Sequence, residues 1–172
     1  MGSEGLREVL VIRPLEERDL EEKTRLALTT WHETYDDGLI PRAWSDEHLG
    51  YEQLLAFQRR RGLDGWLVAE ADGELVGFAS YDAEARPSAG CPGMSELSSI
   101  YVLRSWQGRG VGRALMEAAL VRCPHDQVVV YVVEGNEHAI GFYERMGFVP
   151  TGRRRPDDAW VDLEMVRDAR KD

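Results

Sequence analysis

The stretch "LRSWQGRGVGRALM", Leu103 to Met116, constrains the chain most, because Gly108, Gly110 and Gly112 alternate where good helix formers begin. A glycine inside a helix costs roughly 1 kcal/mol against alanine, so three of them at a helix start need a physical reason. Backbone N–H groups at a helix N-terminus lack intrahelical acceptors, and the macrodipole places about half a positive charge there. A phosphate docks on such a turn if no β-carbon stands in its way. Arg109 and Arg113 add charge-assisted contacts. A P-loop is excluded, since it needs Gly-Lys-Ser/Thr where this chain has Gly112-Arg113-Ala114. A dinucleotide fingerprint would carry its third glycine one place later and nearer the N-terminus. What remains is Gln-x-x-Gly-x-Gly, here Gln107, Gly110 and Gly112.

Elements around the turn follow from hydrophobic period and turn chemistry. "VLVIRPL" (Val9 to Leu15) alternates as a first strand, and a helical stretch follows from about Asp19 to Trp31. A turn-rich connector with Gly38 and Pro41 leads to Ser45, which is expected to cap a helix running to about Arg61. Gly65 to Asp82 holds two β-rich runs about Ala71-Asp72-Gly73, a hairpin signal. Residues 83–93 read as a surface loop. "ELSSIYV" (Glu96 to Val102) is a strand entering the glycine turn, and "QVVVYVV" (Gln127 to Val133) is a strand buried on both faces. Asn136 caps a short helix that Gly147 ends, and "AWVDLEMV" (Ala159 to Val166) is the closing strand. The fold class is α/β (α+β), with strands and helices interleaved around a mixed sheet.

The 172 residues fit one domain, 1–172, with a core of about 9–168 and flexible tails at 1–8 and 169–172. The formal net charge is −10, which disfavours nucleic acid as a partner and would draw in a cationic amine. No run approaches the ~18 apolar residues of a membrane span, and no secretion-signal layout is read at the N-terminus. Cys91 and Cys123 are too few for a disulfide framework and have no metal-like spacing, so a cytoplasmic setting without a metal is expected. A homodimer is a fair expectation.

The segment Glu96 to Leu115 resembles motif A of the GCN5-related N-acetyltransferase (GNAT) family. "VVEGNEHAIGFYERMGF" (Val132 to Phe148) is similar to that family's Asn-x-x-Ala-x-x-Phe-Tyr-x-x-x-Gly-Phe segment, and "WVDLEMV" to its closing strand. The resemblance covers the C-terminal half closely and the first 65 residues loosely. It implies a single GNAT-like domain: a mostly antiparallel sheet of about seven strands, splayed in the middle and flanked by about four helices. It also implies acetyl-coenzyme A (acetyl-CoA) as donor, its pyrophosphate held by Gln107, Gly108, Arg109, Gly110, Val111, Gly112 and Arg113. Attack by a primary amine, of a small molecule or peptide, would then be direct, within a ternary complex and without an acyl-enzyme.

That chemistry asks for a base to deprotonate the amine, donors for the thioester oxygen, and a proton for the departing thiolate. Glu96, 11 residues before Gln107, stands where some members of the family carry a catalytic glutamate, and a period of two places it on one face with Ser98, Ile100 and Val102. His32 is a rival base. Tyr143 occupies the family's Phe-Tyr position and is expected to be the general acid toward the thiolate. Asn136 is expected to touch the cofactor, and backbone groups of Ile100, Tyr101 and Val102 to face the donor's pantetheine arm as an added strand would. Trp31, His32 and Tyr35, with Asp36 and Asp37, are read as walls for a cationic amine. A non-catalytic acyl-CoA sensor and a nucleotide-dependent transferase on the same turn are the competing readings.

Overall fold

Asp72 and Gly73 both adopt left-handed backbone, with φ of 51° and 87°, and so form the tight turn the Asp-Gly pair predicts. They join β2 (Trp66–Ala71) to β3 (Glu74–Asp82). The computed structural model describes residues 9–171. Around this hairpin lie β1 (Leu10–Pro14), α1 (Leu20–Tyr35), α2 (Arg42–His48) and α3 (Tyr51–Arg61). Then come β4 (Ser95–Val102), α4 (Val111–Leu120), β5 (Gln127–Val133), α5 (Glu137–Arg145), β6 (Val149–Pro156) and β7 (Val161–Asp168). The strands form one sheet in the order β1-β2-β3-β4-β5-β7-β6, and only β4 and β5 run parallel. This is the mixed, mostly antiparallel α/β sheet that the resemblance implies, with five α-helices among the described residues in place of about four.

Each face of the sheet has its own core. Leu115, Met116 and Ala119 of α4 and Tyr143 of α5 pack on Ala69, Leu97, Val128 and Val130. On the opposite face, Leu20 and Leu26 of α1 and Leu55 of α3 meet Trp66, Val68 and Phe78. The start of α1 is fixed by Arg13, which donates to both carboxylate oxygens of Asp19 at 2.6 and 2.9 Å.

Several expectations are corrected here. Ser45 is not a helix cap: it is fully buried inside α2, where its Oγ accepts from Trp31 Nε1 at 3.0 Å. The single helix expected to Arg61 breaks at extended Leu49 and Gly50, giving α2 and α3. Residues 83–93 are not a surface loop throughout, because Ala89 and Cys91 are buried against Val129. Strand β6 was not read at all; "VPTGRRRP" is exposed along nearly its whole length and has no apolar alternation. Of the expected tails, residues 1–8 and 172 lie outside the described residues, while Ala169–Lys171 form a 3₁₀ turn.

Lys23 ties α1, α3 and β2 together. Its Nζ donates to Gln58 Oε1 at 2.6 Å and sits 3.6 Å above the centre of the Trp66 ring. Only 6% of the residue is exposed, and burial pushes its amine down to about 7 from 10.5. Between those two values the unfolded chain holds a proton that the folded chain releases, so stability rises with pH across that window. Urea midpoints measured from pH 6.5 to 9.5 should therefore climb more steeply for the wild type than for Lys23→Met, which has no amine to titrate. Parallel profiles would show that Lys23 is ordinarily solvated.

Candidate active site

Strands β4 and β5 share only three rungs, Ser95 with Val128, Glu96 with Val129 and Leu97 with Val130, and then part. The edge of β4 that faces away from β3 is therefore free of strand pairing from Ser98 onward. A cavity of about 380 Å³ occupies the gap, running from Gln107 and the glycine turn past Asn136, Phe142 and Tyr143 to Thr34 and Tyr35 of α1. Ile100, Tyr101 and Val102 line it, as the expected pantetheine-facing strand requires.

At the mouth, Gly110 is the N-cap of α4 with φ of 85°, and Gly108 has φ of 74°. A β-carbon at either position would meet no atom within 4 Å, so open space lies over both. No side chain caps α4. The first N–H in the helical ladder belongs to Ala114, donating to the Gly110 carbonyl at 3.0 Å, which leaves the first-turn N–H groups directed at the cavity mouth. Gly112 also lines the cavity, and a β-carbon there would touch the Phe142 ring at 3.4 Å. Gln107 Nε2 donates to the Val102 carbonyl at 3.1 Å, pinning the turn to the end of β4. Arg113 and Arg145 stand at the rim, and no carboxylate is among the lining residues. A backbone cradle with open space above it, basic side chains at its edge and no carboxylate fits the diphosphate of acetyl-CoA.

The remaining predicted donor contacts divide. Asn136 lines the cavity, and its Oδ1 also accepts from Ala139 N at 3.2 Å, so the residue caps α5 and faces the site at once. Val111 faces inward and is 1% exposed within the core, so only its backbone is available to a phosphate. Arg109 does not line the cavity; its guanidinium stacks 4.8 Å over Trp106.

Tyr143 lines the cavity and is otherwise buried, and that burial, with Tyr35 nearby, drives its phenol well above the ordinary tyrosine range. A phenol raised in this way stays protonated at neutral pH and releases its proton less readily than a solvated tyrosine. Tyr35 and Tyr101, whose hydroxyls lie 2.9 Å apart, close the far end; burial raises both phenols as well.

Glu96 lies elsewhere. It is completely buried and does not line the cavity. Its Oε2 accepts from the Arg86 backbone N–H at 3.1 Å, and its Oε1 lies 2.8 Å from Arg86 Nη2 in an ion pair not aligned as a hydrogen bond. The expected sharing of one face by Glu96, Ser98, Ile100 and Val102 is also corrected. A β-bulge sets Ser99 opposite Ser80 but Leu97 opposite Tyr81, leaving Ser98 as the extra residue. Side-chain alternation shifts there by one, so Leu97, Ile100 and Val102 all pack toward α4, while Glu96 lies on the face of Tyr101.

Of the expected acceptor walls, Tyr35 lines this cavity and Trp31 a second one beyond it, whereas His32 lines neither and is hydrogen-bonded through Nδ1 to Asp36 at 3.1 Å. Asp36 also pairs with Arg42, and Asp37 with Arg104. The carboxylates expected to greet a cation are thus engaged with basic side chains outside the cavities. Sequence reasoning missed Tyr131, which lines the cavity between the guanidiniums of Arg86 and Arg155. It also missed Lys23, whose signal was a lysine three residues after Leu20 on the apolar stripe of α1.

Comparisons with known proteins bear on this geometry. The model of the acetyltransferase (GNAT) family matches residues 25–148. An L-methionine sulfoximine/L-methionine sulfone acetyltransferase of Pseudomonas aeruginosa is 31% identical over 144 residues, covering 80% of this chain and 77% of that protein. A mycothiol acetyltransferase of Acidimicrobium ferrooxidans is 33% identical over 145 residues, covering 80% of this chain and 42% of that one. Among solved structures, the PaiA N-acetyltransferase of Thermoplasma acidophilum in complex with coenzyme A superposes with a TM-score of 0.69 at 24% identity, covering 93% of this chain and 99% of that one. A ribosomal-protein-alanine N-acetyltransferase from Brucella melitensis gives 0.67 at 28% identity, covering 92% and 99%. These findings favour acetyl transfer over a non-catalytic sensor or a nucleotide-dependent transferase. A cavity opened by parting strands, mouthed by a glycine turn and matched by the family model across both motifs leads to one conclusion: the chain belongs to the GNAT family of acetyltransferases, with acetyl-CoA as its donor.

Proposed function

We propose that this enzyme acetylates a primary amine of a small molecule or peptide by direct attack within a ternary complex, the catalytic unit being the single domain of residues 1–172 with its core at about 9–168. The observation that carries this reading is the continuous cavity from the open turn at Gly108 and Gly110 to Tyr143 and Tyr35. Acetyl-CoA supplies an activated acetyl group; the protein's own part is to bind, orient and move protons. The first-turn N–H groups of α4 and the rim arginines hold the diphosphate end, and the free edge of β4 at Ile100 to Val102 orients the arm and presents hydrogen-bond donors. Tyr143 is the proposed general acid, because it stands at the family's Phe-Tyr position and lines the cavity, within which the departing thiolate would take up its proton. Neither cysteine lines the cavity, which suits a mechanism without an acyl-enzyme. Both thiols are free, in keeping with a cytoplasmic enzyme.

Glu96 is the proposed base. Its place in the motif is the ground for this; Glu96 is sealed beneath Arg86 and lines no part of the cavity, so a proton reaches it only through water admitted when Arg86 moves aside. Glu96→Gln should lower kcat by roughly 10²-fold, with donor affinity retained. Unchanged turnover at every pH would exclude it. Gly110→Glu should abolish acetyl-CoA binding in a calorimetric titration, since it adds a carboxylate at the cradle and a side chain at φ of 85°. Retained affinity would move the donor away from the turn.

A further inference from the structure

A second cavity of about 240 Å³ lies between α1, α3 and the β2–β4 face of the sheet, and it shares Ser99 and Tyr101 with the lining of the first. Its walls are apolar and aromatic, including Trp31, Trp66, Phe78 and Tyr101, with half-exposed Phe57 among its lining residues. One charged side chain lines it, Lys23, and no carboxylate does. We infer that this cavity is the acceptor pocket and that it selects a primary amine whose apolar body carries a carboxylate, which the Lys23 ammonium holds. This rests on the acetyltransferase reading above and adds the class of acceptor.

An ammonium offers three donors. Gln58 Oε1 takes one, and the Trp66 face, 3.6 Å away, offers only a weaker attraction. Neighbouring carboxylates on the same side are committed elsewhere: Asp19 to Arg13, and Glu22 to the Leu75 N–H at 2.8 Å. Burial without a counter-charge is what weakens the charged form of Lys23, and an entering carboxylate restores that form by pairing with it. A second cation beside Lys23 would oppose it, so the acceptor's carboxylate and not its amine belongs at this end of the pocket.

Distance sets the shape of the acceptor. Lys23 Nζ lies 4.7 Å from the Phe78 ring centre, and that ring lies 5.4 Å from the ring of Tyr101, which lines both cavities. An amine delivered beside Tyr101 while its carboxylate rests on Lys23 therefore needs an apolar spacer, an aromatic ring or a short chain of methylenes. Gln58, itself 1% exposed and tied to the Gly62 carbonyl at 2.9 Å, fixes the ammonium so that it faces the pocket in one geometry.

The test pairs 4-(aminomethyl)benzoate with 4-methylbenzylamine, and 6-aminohexanoate with hexylamine. Coenzyme A release is followed with acetyl-CoA as donor, and each compound is also titrated calorimetrically. The carboxylates should be preferred by at least about tenfold in kcat/KM or in affinity, a fold-change expected of one charge-assisted contact. In Lys23→Met the preference should fall to about one, while acetyl-CoA titration reports that the variant is folded. Equal use of charged and neutral partners by the wild type, or a preference that survives in Lys23→Met, overturns the proposal. So does acetylation of Lys23 itself after incubation with the donor alone. Loss of acetyl-CoA binding in the wild type would instead strike the donor reading, and calorimetry of the carboxylates would still decide the role of Lys23.

Discussion

The parting of β4 from β5 after Leu97 is the constraint on which the rest depends. Three parallel rungs hold the centre of the sheet, and the bulge at Ser98 then lets β4 follow β3 while β5 follows β7. Backbone groups of a central strand are thereby left for a ligand to use. The same divergence opens a path between the faces of the sheet, which places the glycine turn at one end and the Tyr35–Tyr101 pair at the other. Had β4 and β5 stayed paired along their full length, the residues of both motifs would surround no space.

Charge is distributed to match. The chain is acidic overall, yet neither cavity is lined by a carboxylate. Many acidic side chains are paired with arginines instead: Asp19 with Arg13, Glu96 with Arg86, Asp82 with Arg61 and Glu134 with Arg154. Net charge, summed over such pairs, said little about what the cavities accept. Basic groups at the donor mouth and one buried amine in the second cavity point toward anionic groups at both sites.

Much of the frame was legible in the residues. The Asp72-Gly73 turn, the apolar run of β5 and the glycine-to-helix junction each carry a strong local signal, because backbone conformation there depends on the residue itself. Strand β6 carried none: its exposed arginines, glycine and prolines are held in place by pairing with β7, a partner later in the chain. Ser45 misled for a related reason, since its hydroxyl serves Trp31 across fourteen positions and not the nearest helix end. The face of Glu96 was misjudged because a period of two holds only until a bulge interrupts it.

By itself the sequence determined the family, the glycine turn that opens α4 and the short helix that carries Tyr143, since these depend on short-range patterns: glycines at left-handed positions, a helix start, and a fixed spacing within one helix. Only the tertiary structure decided that Glu96 lies sealed beneath Arg86, that Arg109 turns onto Trp106, and that Lys23 is the one charged group lining an aromatic pocket. Such facts depend on which distant side chains meet, and contacts between residues far apart in the chain leave no periodic trace along it.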